Sequence, residues 1–153
     1  MTASIAPVSF LLPRDLREWR GNRFSFSTDP RRRPSPHLPV ATQFWEGPDP
    51  LKRIRLERFE WPADSTPPSW LPDQRATGLT ECSDSIDGHH RLIRSYSVFG
   101  MMNRNGTQLS GYVMEAAVEL QPNVRLVLVG SHDSPAFQSE VLAIIHSLRI
   151  ARP

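Results

Sequence analysis

Residues 111–148 read GYVMEAAVELQPNVRLVLVGSHDSPAFQSEVLAIIHSL, and this stretch decides the fold. In its first ten residues Tyr112, Met114, Ala116, Val118 and Leu120 share one parity, while Glu115 and Glu119 fall on the other. Side chains alternate across a strand, so this is a half-buried β-strand with one wet face. Pro122 and Asn123 predict a turn. Residues 125–129, RLVLV, are apolar on both parities, which places them centrally in a sheet. Ser134 and Pro135 then suit an N-cap and a first helical position. Phe137, Val141, Ile144, Ile145 and Leu148 recur at i, i+4, i+7, i+8 and i+11. Such a stripe must lie on the sheet, each burial being worth roughly 1.5–3 kcal/mol before entropy is subtracted.

Upstream, residues 91–99 read as a strand, and the Asn105-Gly106 pair supplies the positive φ values of a tight hairpin. Residues 23–28, 40–45 and 51–61 read as three further strands. In the last, Ile54 and Leu56 share one parity and Phe59 and Trp61 the other. Either a β-bulge near Glu57 and Arg58 brings all four to one face, or both faces are partly covered. Twelve of the fifteen prolines lie in residues 1–72. They predict extended loops over 29–39 and 62–74, the latter with at most one helical turn. The whole, residues 1–153, reads as one α+β domain: a mainly antiparallel β-sheet with a C-terminal α-helix packed on it.

The composition is that of a globular chain, with 39% hydrophobic and 22% charged residues and a mean hydropathy of −0.40. No window approaches a membrane-spanning helix. The first residues carry no cationic leader, and Pro7 and Pro13 interrupt their apolar run, so a cytoplasmic location is expected. Of eighteen cations, only Lys52 is lysine. Residues 1–58 carry eleven cations and six anions, and residues 59–153 seven and ten. The Arg31-Arg32-Arg33 run sits in a proline loop with no interleaved aromatics for base stacking, so no nucleic-acid partner is expected.

Cys82 with Asp84, Asp87, His89 and His90 is the densest polar cluster. Its spacing matches no zinc pattern, and adjacent histidines on a strand point to opposite faces. Residues 83–88, SDSIDG, are turn composition. A thiol nucleophile at Cys82 would need a base such as His89 or His90 and an oxyanion hole. A small hydrolase or metal-binding protein built on these three is the alternative to a binding module. His146 falls beside the apolar helix stripe, and His37 and His132 sit in loops. No phosphate-cradling glycine loop or nucleophile elbow occurs. The reading therefore expects no catalytic residue, metal or cofactor. Trp19, Trp45, Trp61 and Trp70, all in the proline-rich half, together with Met101 and Met102, are the candidate contact residues for another protein.

Residues 88–150 resemble the PsbP/DcrB-like superfamily. The features that carry this are Gly88, a strand with Tyr96 and Phe99, a polar hairpin, a strand with Tyr112, and the apolar strand 126–129. Ser134-Pro135 and a helix closing on Ser147-Leu148-Arg149 complete them. The resemblance implies an antiparallel sheet sandwiched by helices and a non-catalytic binding role, as in photosystem accessory proteins, a Ran-binding protein and bacterial secretion chaperones. The opening, residues 10–13 FLLP followed by residues 22–24 NRF, is similar to the Eag chaperones of type VI secretion effectors. That likeness implies a cytosolic chaperone or adaptor holding hydrophobic segments of a secreted effector. The wider PsbP-like resemblance implies, as the alternative, an accessory subunit that stabilises a larger complex such as a photosynthetic one.

Overall fold

Residues 125–129 do lie at the centre of a sheet, and the architecture follows from their having no polar side. The computed structural model describes residues 2–5, 7–18, 39–49, 51–102 and 108–152. In chain order the strands are β1 Thr2–Ile5, β2 Val8–Leu11, β3 Arg17–Glu18, β4 Ala41–Glu46, β5 Arg53–Glu60, β6 Ala76–Ile86, β7 His89–Met102, β8 Gln108–Gln121 and β9 Val124–His132. Helix α1, Ala136–Ser147, and strand β10, Arg149–Ile150, close the chain. Seven strands form an antiparallel sheet in the order β3-β4-β5-β9-β8-β7-β6, with β9 fourth. A second, three-stranded sheet has the order β1-β2-β10. Among the described residues the chain is thus mostly antiparallel strand with one C-terminal helix, an α+β fold.

The apolar stripe of α1 is buried as its spacing predicts: Phe137, Val141, Ile144 and Ile145 inside the helix and Leu148 just beyond it. It packs with Phe10, Trp45, Ile54, Leu56, Ala116, Leu126 and Leu128 in one continuous core. The helix comes so close to β9 that a Cβ on Gly130 would fall on both methyls of Val141. Pro135 rather than Ser134 occupies the N-cap position, and no side chain caps the helix there. The Ser134 carbonyl instead accepts from the Phe137 N–H at 3.2 Å.

One sequence alternative is resolved and one expectation changes. Strand β5 pairs with β9 in unbroken register from Arg53 to Glu60, so there is no bulge near Glu57 and both faces are covered. Residues 83–86 belong to β6, and the turn is Asp87 and Gly88 alone, with φ of 48° and 83°. Strands β1 and β2, not assigned from sequence, pair antiparallel, with β10 joining β2. The expected strand at 23–28, the loop at 29–38 and the turn at 103–106 lie outside the described residues, although β7 and β8 pair on either side of that turn.

The end of α1 is tied to the β6–β7 hairpin by charge. Arg91, 5% exposed, donates to the Ile145 carbonyl at 2.9 Å and through Nε to Asp84 Oδ1 at 2.7 Å. It thereby adds a second donor to a C-terminal carbonyl of the helix that already accepts from the Leu148 N–H at 3.2 Å. Asp87 Oδ2 accepts from the Ile150 N–H at 2.9 Å. The hydrogen bond from Arg91 holds the Asp84 carboxyl below its ordinary value of 3.8.

Two outcomes follow from this packing. Gly130→Ala should destabilise the fold by about 1–3 kcal/mol in urea denaturation. Adding Val141→Ala should cost less than the sum of the two single losses, because the clash is shared. A carboxyl lowered by folding contributes stability above its unfolded value that is lost as pH falls through the folded one. Acid titration of thermal stability should therefore show a drop below pH 3.8 that is shallower in Asp84→Asn.

Candidate functional site

The face of the sheet opposite α1 carries the polar parity of β5, β7 and β8 around the apolar β9. From β5 come Arg53, Arg55 and Glu57, from β8 Glu115, and from β7 Arg94 and Tyr96. The sequence predicts a wet face here, yet Glu115 is 5% and Arg94 2% exposed. The cover is the segment at 61–75, a loop as its prolines predict, with a turn in which the Pro62 carbonyl accepts from the Ser65 N–H at 3.0 Å.

Two arginines pin that loop to the sheet. Arg94 lies with its guanidinium 3.5 Å from the centre of the Trp70 ring, and its Nη1 donates to the Trp70 carbonyl at 2.6 Å. On its other side Arg94 Nε donates to Glu115 Oε1 at 3.0 Å. Arg125 donates to the Pro68 carbonyl at 3.0 Å and to Glu119 at 2.7 Å, and stands 5.2 Å from the centre of the Trp61 ring. Stacking, ion pairing and a charge-assisted hydrogen bond thus converge on each guanidinium.

Beside this clamp the second face sinks into a depression of about 320 Å³. Its apolar surface is Phe44, Val98, Val113 and Val129, and its polar surface includes Arg53, Arg55, Asp73, Arg75, Tyr96, Glu115 and Ser131. Burial pushes the Glu115 carboxyl above its ordinary range, against the opposing pull of Arg94. Burial, helped by the Glu115 charge, pushes the Tyr96 phenol up to about 12. Asp73 is clamped by Arg75, Nε to Oδ1 and Nη2 to Oδ2 at 3.2 Å each, and that hydrogen bonding holds its carboxyl low. Arg53 pairs with Glu46 at 3.4 Å and Arg55 with Glu57.

The candidate residues from sequence are placed as follows. Trp45, 3% exposed, is a core side chain edge-on to Phe10, with ring centres 5.4 Å apart. Trp61, 5% exposed, is buried under Arg125. Both spend their surface inside the chain, because strands β4 and β5 need cover on both faces. Trp70 is half-buried on Arg94. Met101 and Met102 end β7, and Trp19 lies outside the described residues. Cys82 is exposed on β6 opposite Ile93, whereas His90 lies opposite Ser85 and His89 bonds the Glu119 carbonyl at 3.1 Å. Strand register therefore separates the thiol from His90, and no shared site forms among these three.

His132, expected in a loop, is instead the last residue of β9, because its pairing with Tyr112 of β8 carries the strand that far. Its Nε2 lies 2.8 Å from Asp49 Oδ2 and 3.0 Å from Asp133 Oδ1, making the cluster of possible metal-ligand atoms found among the described residues. Nearby Lys52 bridges Asp15 at 2.9 Å and Glu140 at 3.1 Å over the Phe137 ring. Together these pairs staple the β4–β5 turn to the end of β9 and to α1. Of the second-face site, sequence shows only the charged parity of β5, where Arg53, Arg55 and Glu57 alternate with Ile54 and Leu56, and not its cover.

Removing one partner of a buried pair leaves an uncompensated charge, whereas removing both need not. Arg94→Met should destabilise by about 3–5 kcal/mol in urea denaturation. Arg94→Met with Glu115→Leu should recover most of that loss. Equal losses in the two proteins would mean that the Trp70 stack, not the ion pair, carries the clamp.

No family model matches the chain, and no curated protein matches it. Among solved structures it is similar to a protein from Bacteroides thetaiotaomicron VPI-5482, at 10% identity and a TM-score of 0.40. The match covers 95% of this chain and 46% of the other, so this chain spans a little under half of that protein's length.

Proposed function

We propose that this protein is a non-catalytic, cytoplasmic protein-binding module of the PsbP/DcrB-like kind, which engages its partner along strand β6. The observation that carries the reading is the outer edge of the seven-stranded sheet. β6 is eleven residues long, pairs with β7 alone, and is exposed at all nine residues from Thr77 to Ser85. An edge of this length presents a row of unpaired N–H and C=O groups, a template to which an extended segment of another chain can add. Leu79 on β6 and Phe99 on neighbouring β7 are 44% and 66% exposed, which supplies apolar anchors beside the edge. Strand addition suits both forms of the reading, an adaptor or chaperone for a secreted effector and an accessory subunit of a larger assembly. In each, the bound element is polypeptide and no chemistry is done.

The single cysteine sits on this edge and provides the test. A photoreactive group attached to Cys82 should give one discrete cross-linked product in native lysate. The same group on Ala143→Cys in a Cys82→Ser background, on the exposed side of α1, should not. In the isolated complex, β6 amides should exchange hydrogen more slowly than in the free protein. A complex in which β6 exchange is unchanged would overturn the reading.

A further inference from the structure

The depression on the second face has a chemistry of its own, separate from the β6 edge. Its volume of about 320 Å³ lies at the lower end of the range that small-molecule sites occupy. Its negative groups are already engaged in place. Asp73 is held in a two-point clamp by Arg75, and Glu115 is buried against Arg94. The guanidiniums are different. Arg53, Arg55 and Arg75 all line the depression, while Glu46 and Glu57, which pair with the first two, do not. A guanidinium has five N–H donors in a fixed fork, and one carboxylate uses at most two of them. Arg55 and Arg75 remain 39% and 58% exposed, so donors are left to face the opening. Beneath them the surface is apolar, from Phe44, Val98, Val113 and Val129.

We propose that this depression binds a small organic carboxylate with an apolar body, its charge on the guanidiniums of Arg55 and Arg75 and its body on Val98, Val113 and Val129. The two halves of such a ligand match the two halves of the site. A carboxylate accepts from planar guanidinium forks, and an aliphatic or aromatic body removes apolar sheet surface from water. A cation finds no open carboxylate there. A hydrated inorganic anion would make no use of the apolar floor, where Val98 and Val113 are buried and Val129 is half-buried.

Octanoate, octanol, acetate and inorganic phosphate serve as probes in calorimetric titrations of the full chain. Octanoate should bind saturably at millimolar concentrations or below, and each of the others at least several-fold more weakly. Arg75→Gln and Arg55→Gln should each weaken octanoate by roughly tenfold, the scale of a hydrogen bond to a charged group, and leave octanol unchanged. Arg75 is exposed, so its variant retains the fold, which circular dichroism checks. Val113→Phe, filling the depression, should abolish octanoate binding, and the methyl resonances of Val113 and Val129 should shift on titration of the unmodified protein. Binding of octanol as tightly as octanoate, or no saturable octanoate binding, would overturn the proposal. Cys82 cross-linking is unaffected by either result, so this site and the β6 reading fail independently.

Discussion

Strand β9 has no side on which water is tolerated, and the rest of the molecule is arranged around that constraint. Leu126 and Leu128 face α1, and Val127 and Val129 face the other way. A strand of this kind can be stable only at the centre of a sheet with both faces covered. The first cover is cheap: an amphipathic helix whose stripe is written in the sequence. The second is an irregular segment with little core of its own. Such a loop carries backbone polar groups, and they need partners. Arg94 and Arg125 provide them by donating to the carbonyls of Trp70 and Pro68.

This explains why the polar parity of the sheet is not simply a solvated surface. Once a loop lies over it, the charges beneath lose water and must pair with each other. Arg94 and Glu115 do so at full burial, Arg55 with Glu57 and Arg125 with Glu119 at partial burial. The depression persists where the cover ends, bounded by Asp73 and Arg75 at the exit of the loop.

The first face was legible in sequence because helix periodicity and strand alternation are local signals. Phe137 to Leu148 and Tyr112 to Leu120 name their own partners by spacing. The second face was not, because covering a charged parity with a proline-rich loop leaves no periodic trace. Glu115 looks the same on a wet strand as on a buried one until Arg94 and Trp70 are brought to it from 21 and 45 residues away in sequence. β6 was misread for a related reason. Its Ser, Thr and Asp composition is that of a turn, yet hairpin pairing with β7 overrides local preference in an edge strand that has no core to fill. Trp45 and Trp61 mark places where the sheet needs cover.

The acidic residues on the open edge bear on whether the protein would stack on itself. Two copies meeting along this strand in the fully overlapped antiparallel register would set Glu81 against Glu81. Sliding them by three residues would set Glu81 against Asp84 on both sides. Like charges directly opposite oppose such pairing. The strand thus resists pairing with a second copy of itself, and it remains receptive to a foreign segment that brings neutral or positive side chains to those two positions.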